Sequence, residues 1–244
     1  MLWDYCSLPQ LPYGDELVET ELFERGRRGI HAWFSHPHTF VLMVTSMPPR
    51  KKNSFYLGKK YSNTRGYDQR GWTIVERRLS SLVKSQGRLW DLSRYDPEAL
   101  GETKLANFDG LQRQLKAARP PPMSPERLSV QLRAAVVSGD VSFSVPTDID
   151  VVLQLYERGF VSAITDFAYN HTSMASKPGE LFYRNLKWGA EEAEEITEAL
   201  KFASERCSPL DDRIFHIFDG NHFSAEDKER MRAACEGSKL KVEN

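Results

Sequence analysis

The segment from residue 39 to residue 45 narrows the fold more than any other. Thr39-Phe40-Val41-Leu42-Met43-Val44-Thr45 is a continuous apolar run bounded by Pro37 and Pro48. A run of that length without polar alternation reads as a strand covered on both faces, as parallel sheets require. Its surroundings supply the rest of such a sheet. Leu2-Trp3-Asp4 reads as the end of an earlier strand, and Cys6 to Pro12 as a proline-broken loop. A helix follows from about Asp15, with Leu17, Leu22, Phe23, Ile30 and Trp33 on one apolar face. Gly26 and Gly29 within it suggest close packing. After a basic loop, Asp68 to about Lys84 places Trp72, Val75, Leu79, Leu82 and Val83 on a helical stripe. Arg88-Leu89-Trp90-Asp91-Leu92 is the next strand. This alternation predicts an α/β fold with a parallel sheet over residues 1–95.

Beyond Tyr95 the pattern turns helical. Leu105 to Ala118 is a helix candidate, and Pro120-Pro121-Pro122 a stiff break. Ser124 and Pro125 then form an N-cap and first helical position. Thr147-Asp148-Ile149-Asp150 resembles a capping box ahead of a helix through Val151, Leu155 and Phe160. Residues 96–175 read as a helical extension, ending in a small-polar loop from Asn170 to Gly179.

Residues 176–244 contain a weak repeat. Trp188 to Ile196 aligns without gaps on Phe223 to Met231, an offset of 35 residues, and each copy follows a β-prone run, Leu181–Tyr183 or Ile214–Phe218. The strand-loop-helix unit, with Asn221 just after its strand, resembles the ribonuclease-inhibitor type of leucine-rich repeat. The spacing exceeds the usual ~20–29 residues, and two copies fall short of the three or so a solenoid needs. A plain α/β cap is the alternative reading.

Composition excludes several classes. A net charge of −1 over 244 residues steers the chain toward neither nucleic acid nor an anionic membrane. No apolar run approaches the ~20 residues of a membrane helix, and no secretory leader opens the chain. Cys6, Cys207 and Cys235 form no C-x-x-C pair, so neither a zinc site nor a disulfide framework is suggested. A reducing, cytoplasmic location follows as an expectation.

Four parts in order carry a further resemblance: Asp4 at a strand end, Leu8-Pro9-Gln10, the run Thr39–Thr45, and Trp72-Thr73-Ile74-Val75-Glu76. They resemble the TIR-like family. The longer forms Trp3-Asp4-Tyr5-x-Ser7-Leu8-Pro9-Gln10 and Tyr67-x-x-Arg70-Gly71-Trp72 look like a variant of it found in single-celled eukaryotes. Thr73 stands where the common pattern has cysteine. The resemblance covers the first third of the chain. It implies a flavodoxin-like sheet of order 2-1-3-4-5, here lacking its first strand, because Met1 directly precedes what matches strand 2. Strand 3, the Thr39–Thr45 run, would then be an unprotected edge. Either the chain is an N-terminally incomplete version of a longer protein, or the domain is degenerate and scaffolds without catalysis.

Glu76 is the candidate catalytic residue, with Asp4 and Trp72 as candidate nucleotide-binding residues. Trp72, Glu76 and Leu79 share one helix face, so the carboxylate lies on an apolar stripe, an arrangement found disproportionately at functional sites. In catalytic relatives the matching glutamate assists cleavage of the nicotinamide–ribose bond of NAD, whose oxocarbenium-like transition state an anion stabilises. The alternative is an ion pair of Glu76 with Arg70 or Arg77. Asp4 serves equally as an Asx turn, as does Asp91 at a similar strand end. The basic residues Arg50, Lys51, Lys52, Lys59 and Lys60 could meet phosphates, though such runs are more often solvated loops. His31, His36 and His38 lack metal-site spacing and read as surface residues. Two functions follow: a signalling or scaffold module with protein partners or self-association, and no cofactor; or an enzyme that consumes NAD as its substrate through Glu76.

Overall fold

The computed structural model describes residues 16–46, 65–98, 108–165, 179–207 and 212–244, together with the backbone of 55–56 and 59–60. In chain order the elements are α1 (Glu16–Ser35), β1 (Val41–Met43), the short pair β2 (Phe55–Tyr56) and β3 (Lys59–Lys60), α2 (Gly71–Ser81), β4 (Leu89–Asp91), α3 (Phe108–Leu115), α4 (Pro125–Ser138), α5 (Asp148–Thr165), β5 (Glu180–Phe182), α6 (Ala190–Arg206), β6 (Arg213–His216), α7 (Ala225–Ala233) and β7 (Leu240–Glu243). The fold is α/β. β1 and β4 pair in parallel, Leu42 opposite Trp90, with α2 in the connection between them. β5, β6 and β7 form a second parallel sheet in sequence order, with Phe215 opposite both Leu181 and Val242.

One apolar cluster runs from Val75 to Val242 and includes residues on both sides of positions 95 and 175. The stripe of α2 enters it through Val75, Leu79, Leu82 and Val83. α5 adds Val152, Tyr156 and Phe160, and the second sheet adds Leu181, Phe215, Leu240 and Val242. A smaller cluster of Met43, Leu89 and Ala117 lies under the first sheet, with Val41 and Tyr67 against it.

Local signals explain the element ends. Ser124 caps α4 by accepting from the Arg127 N–H, with Pro125 in the first turn, and Gly139 closes the helix in the left-handed region at φ 83°. Ser224 and Asp227 form a reciprocal box at the start of α7. Gly71 opens α2 because nothing larger fits: a Cβ there would fall inside the Phe143 ring. The Gly71 N–H donates to the Ser142 carbonyl at 3.0 Å, which ties the Arg-Gly-Trp segment to residues 141–143.

Buried cations close the ends of three helices. Arg119, 4% exposed, donates to the carbonyls of Ser81 (2.8 Å) and Leu82 (3.0 Å) at the end of α2 and to that of Phe182 (2.7 Å) in β5. Its guanidinium lies 4.3 Å from the centre of the Tyr183 ring, whose hydroxyl also donates to Leu82. Arg213 donates to the carbonyls of Ile164 and Thr165 at the end of α5. The Lys84 ammonium donates to the Phe34 carbonyl in the last turn of α1, and burial brings its pKa down to about 7.

Three expectations are corrected. The Thr39–Thr45 run is not covered on both faces. Only Val41–Met43 is strand, and Phe40, Leu42 and Val44 on its outer side are 50, 47 and 49% exposed. Of the face expected on α1, Ile30 is buried and Phe23 partly so, whereas Leu17, Leu22 and Trp33 are exposed. Gly29 is not a close-packing site: nothing lies within 4 Å of the Cβ position. The strand read at Leu2–Asp4 and the loop Cys6–Pro12 lie outside the described residues.

Replacing Arg119 by leucine removes its bonds to three carbonyls, of which Leu82 keeps the Tyr183 hydroxyl while Ser81 and Phe182 lose this donor. It is expected to lower unfolding stability by about 3–5 kcal/mol. Arg119→Lys should recover less than half of that, since one ammonium cannot span three acceptors set by a planar fork. Urea denaturation of the two variants measures both effects.

Candidate functional site

The carboxyl ends of β1 and β4 lie side by side, the position where open α/β sheets bind ligands. Asp91 ends β4, and its side chain is 13% exposed. The Thr45 hydroxyl donates to both carboxylate oxygens at 2.8 Å, the Ser93 N–H donates at 3.1 Å, and the Ser93 hydroxyl donates as well. The Ser93 oxygen in turn accepts from the Thr45 and Ser46 N–H groups at 3.1 and 3.0 Å. Burial opposes the Asp91 charge, but the bonds from Ser93 and Thr45 outweigh it and hold the carboxyl below the usual carboxylate range. The cluster pins the ends of the two strands together.

Tyr67 bridges this strand end to α2. It sits in a 3-10 turn (Tyr67–Gln69), packed against the Met43–Leu89 cluster. Thr73 donates to the carbonyls of Tyr67 and Arg70 and so fixes that turn to the helix. Burial raises the Tyr67 pKa, and the charges of Glu76, Asp68 and Asp91 raise it further against the opposing effect of Arg77. The phenol therefore stays protonated and can donate.

Of the three residues singled out from sequence, Trp72 and Glu76 both lie on α2. Glu76 faces the electrostatic environment of Tyr67. The Trp72 indole donates to the Asp148 carboxylate at 2.9 Å, at the start of α5, and Asp148 also meets Arg27 at 3.7 Å. Asp4 lies outside the described residues. Of the arginines considered as partners for Glu76, Arg77 pairs with Asp68 at 3.3 Å, and Arg70 donates twice to the Arg65 carbonyl. Arg50, Lys51 and Lys52 are likewise outside the described residues. His31 is not a surface residue: it is half-buried on α1, and burial lowers its pKa. No group of three metal-ligating side chains occurs among the described residues.

Sequence reasoning missed Thr45, Ser93 and the part played by Tyr67. A signal for the first two was present: Asp91-x-Ser93 is an Asx-turn pattern, and Thr45-Ser46 is the polar end of an apolar run.

In the second sheet, Asn221 is a bracket between the two strand-loop-helix units. Its side chain accepts from the Leu186 and Trp188 N–H groups at 3.0 and 3.2 Å and donates to the Tyr183 and Ile217 carbonyls at 2.8 and 2.5 Å. The N-termini of α6 and α7 are occupied by their own carboxylates, Glu192 and Asp227, which removes them as anion sites.

The outer face of the first sheet is the most apolar exposed surface near these residues. Trp90 lies between Phe40 and Phe108, with ring centres 5.5 Å apart in each pair, and Arg88 lies 5.6 Å from the centre of the Phe40 ring. Phe40, Leu42, Val44 and Phe108 are each about half exposed. Among the described residues no helix is long and apolar enough to cross a membrane. No protein-family model, curated protein or solved structure matches the chain.

Since the folded-state pKa of Asp91 is depressed, its contribution to stability is present above the unfolded value near 4 and is lost as pH falls through the folded one. Asp91→Ala is expected to lower stability by about 2 kcal/mol at pH 7. The gap between wild type and variant should narrow below about pH 4. Denaturant titrations at pH 7 and pH 3 read both quantities.

Proposed function

We propose that the chain is a TIR-like module of the cytoplasm, with a flavodoxin-like first part, that works by protein–protein association. One observation carries this reading: the outer face of a parallel sheet, Phe40, Leu42 and Val44, is half exposed where such sheets are ordinarily covered. The motif order Asp4, Leu8-Pro9-Gln10, Trp72-x-x-x-Glu76 supports the family resemblance. The parallel β1–α2–β4 unit agrees with it. The outward side chains of the second sheet, Phe182, Arg184 and Lys241, offer a further protein-binding surface on a leucine-rich-repeat-like part. A near-zero net charge supports proteins as partners over nucleic acids or membrane surfaces. The test is native sizing of the tagged full chain in cell extract. An assembly larger than the 28.0 kDa monomer is expected, reduced to monomer size by Leu42→Glu. A chain that runs as a monomer both in extract and when purified at high concentration overturns the reading.

A second reading has its own support: Glu76 and Asp91 acting on the Tyr67 phenol at the carboxyl end of the sheet. It makes the module an NAD-cleaving or nucleotide-binding enzyme in which Glu76 stabilises the ribosyl cation and Tyr67 donates to the ribose. Incubation with NAD, followed by assay of nicotinamide, is expected to show release that Glu76→Gln lowers by at least about 100-fold. Release that is absent, or equal in wild type and Glu76→Gln, removes this reading.

A further inference from the structure

We infer that the amino end of the first sheet binds a phosphate group, held by Arg88, His38 and His36 in front of the buried Lys84 ammonium. This end lies opposite the Asp91 end, because His36 and His38 precede β1 and Arg88 directly precedes β4. The site is independent of both functional readings above.

Four basic side chains meet here. The Arg88 guanidinium lies 3.4 Å from the His38 Nδ1, and the His36 and His38 ring centres are 5.6 Å apart. Burial lowers the His36 pKa, and the charges of His38, Lys84 and Arg88 lower it further. The charges acting on Lys84 are those of Arg119 and Arg88. Among the described residues no carboxylate pairs with Lys84, Arg88 or His38. Lys84 donates to the Phe34 carbonyl, and the Arg88 side chain meets the His38 and Phe40 rings. Arg78, Arg127 and Arg133, by contrast, each take a carboxylate. Like charges gathered without a counter-ion disfavour one another, and a bound anion relieves all of these contacts together.

The backbone holds the cluster in place. The His36 carbonyl accepts from the Thr39 N–H at 3.3 Å and from the Thr39 hydroxyl at 3.0 Å. The His38 N–H donates to the His36 Nδ1 at 3.1 Å, which makes Nε2 the donor of that ring. Arg88 ends a 3-10 turn (Gln86–Arg88). His38 is exposed, and His36 and Arg88 are half-buried, so an ion reaches them from solvent. A planar guanidinium beside two imidazoles offers several N–H donors to phosphate oxygens. A doubly charged tetrahedral group suits this set better than a carboxylate, whose two oxygens and single charge leave donors and repulsion unanswered. For so small a ligand, a dissociation constant on the order of 1 mM is expected.

NMR of the histidine rings in the purified full chain tests the site, with inorganic phosphate titrated against sodium chloride at equal ionic strength. The His36 and His38 resonances, assigned through His36→Gln and His38→Gln, should move and saturate with phosphate alone. His36 should titrate at a higher pH in phosphate than in chloride. Arg88→Gln should raise the dissociation constant at least about tenfold, and Arg88→Lys should keep part of the affinity. Glycerol 3-phosphate separates two sources of the group. A response equal to that with phosphate supports the site as one for esters, and a response to phosphate alone supports it as one for the free ion. Rings that move no more in phosphate than in chloride overturn the inference. So does a phosphate affinity that Arg88→Gln leaves unchanged while its melting temperature matches wild type. If Arg88→Gln does not fold, the ring titration of the unaltered chain decides by itself.

Discussion

Arg119 ties the buried end of helix α2 to strand β5 within the one apolar cluster that both enter. Helix α2 ends inside the protein, where the carbonyls of its last turn cannot be hydrated, and an unbonded buried carbonyl is expensive. The guanidinium fork supplies two donors to that helix end and a third to β5. Among the described residues no carboxylate stands within ion-pair distance of it, so the helix dipole and the Tyr183 ring carry the compensation for its charge. Lys84 at the end of α1 and Arg213 at the end of α5 repeat the device. Where a helix ends near solvent, as α4 does, a left-handed glycine closes it instead. Long cationic side chains thus take the place of glycine caps at the ends of α1, α2 and α5.

That arrangement accounts for what could be read from sequence and what could not. The apolar stripe of α2, the Ser124-Pro125 start of α4 and the Asp148 start of α5 depend on neighbours within one or two turns, and all are visible in the structure. The β5 and β6 runs, each followed by its helix, were legible for the same reason. Which side of an element meets the core was less legible. Helix α1 carries apolar residues on more than one side, and its buried side is chosen by α2 and α5 rather than by its own periodicity. β7 escaped notice because two apolar residues, Leu240 and Val242, in a four-residue strand are too weak a signal without the neighbouring β6. No pattern in the sequence marked Arg119 as buried, since its three acceptors come from segments about 40 and 60 residues away.

The candidate site divides in the same way. Glu76 was legible because its helix face is a local property. The burial of Tyr67 was not, since it requires the cluster beneath the paired strands β1 and β4. Trp72 shows the limit of motif reasoning. It shares a helix face with Glu76, but its indole N–H is taken by Asp148, which gives the tryptophan a structural task that the motif alone does not reveal. Thr73 is the converse. Its hydroxyl bonds the Tyr67 and Arg70 carbonyls, a task that a thiol would do only weakly and that the sequence does not reveal.

The two functional readings use different parts of the same strand, and that separates them physically. Glu76, Tyr67 and Asp91 concern the carboxyl end of β1, while association concerns its outer face. Leu42 lies on the outer face of β1, whereas Met43 faces the cluster that supports Tyr67. A charge at Leu42 would therefore disturb assembly while leaving the packing around Tyr67 in place. Truncating Met43 would do the reverse, loosening the seat of Tyr67 while the outer face keeps its side chains. Strand alternation thus puts association and site chemistry on opposite faces of three consecutive residues.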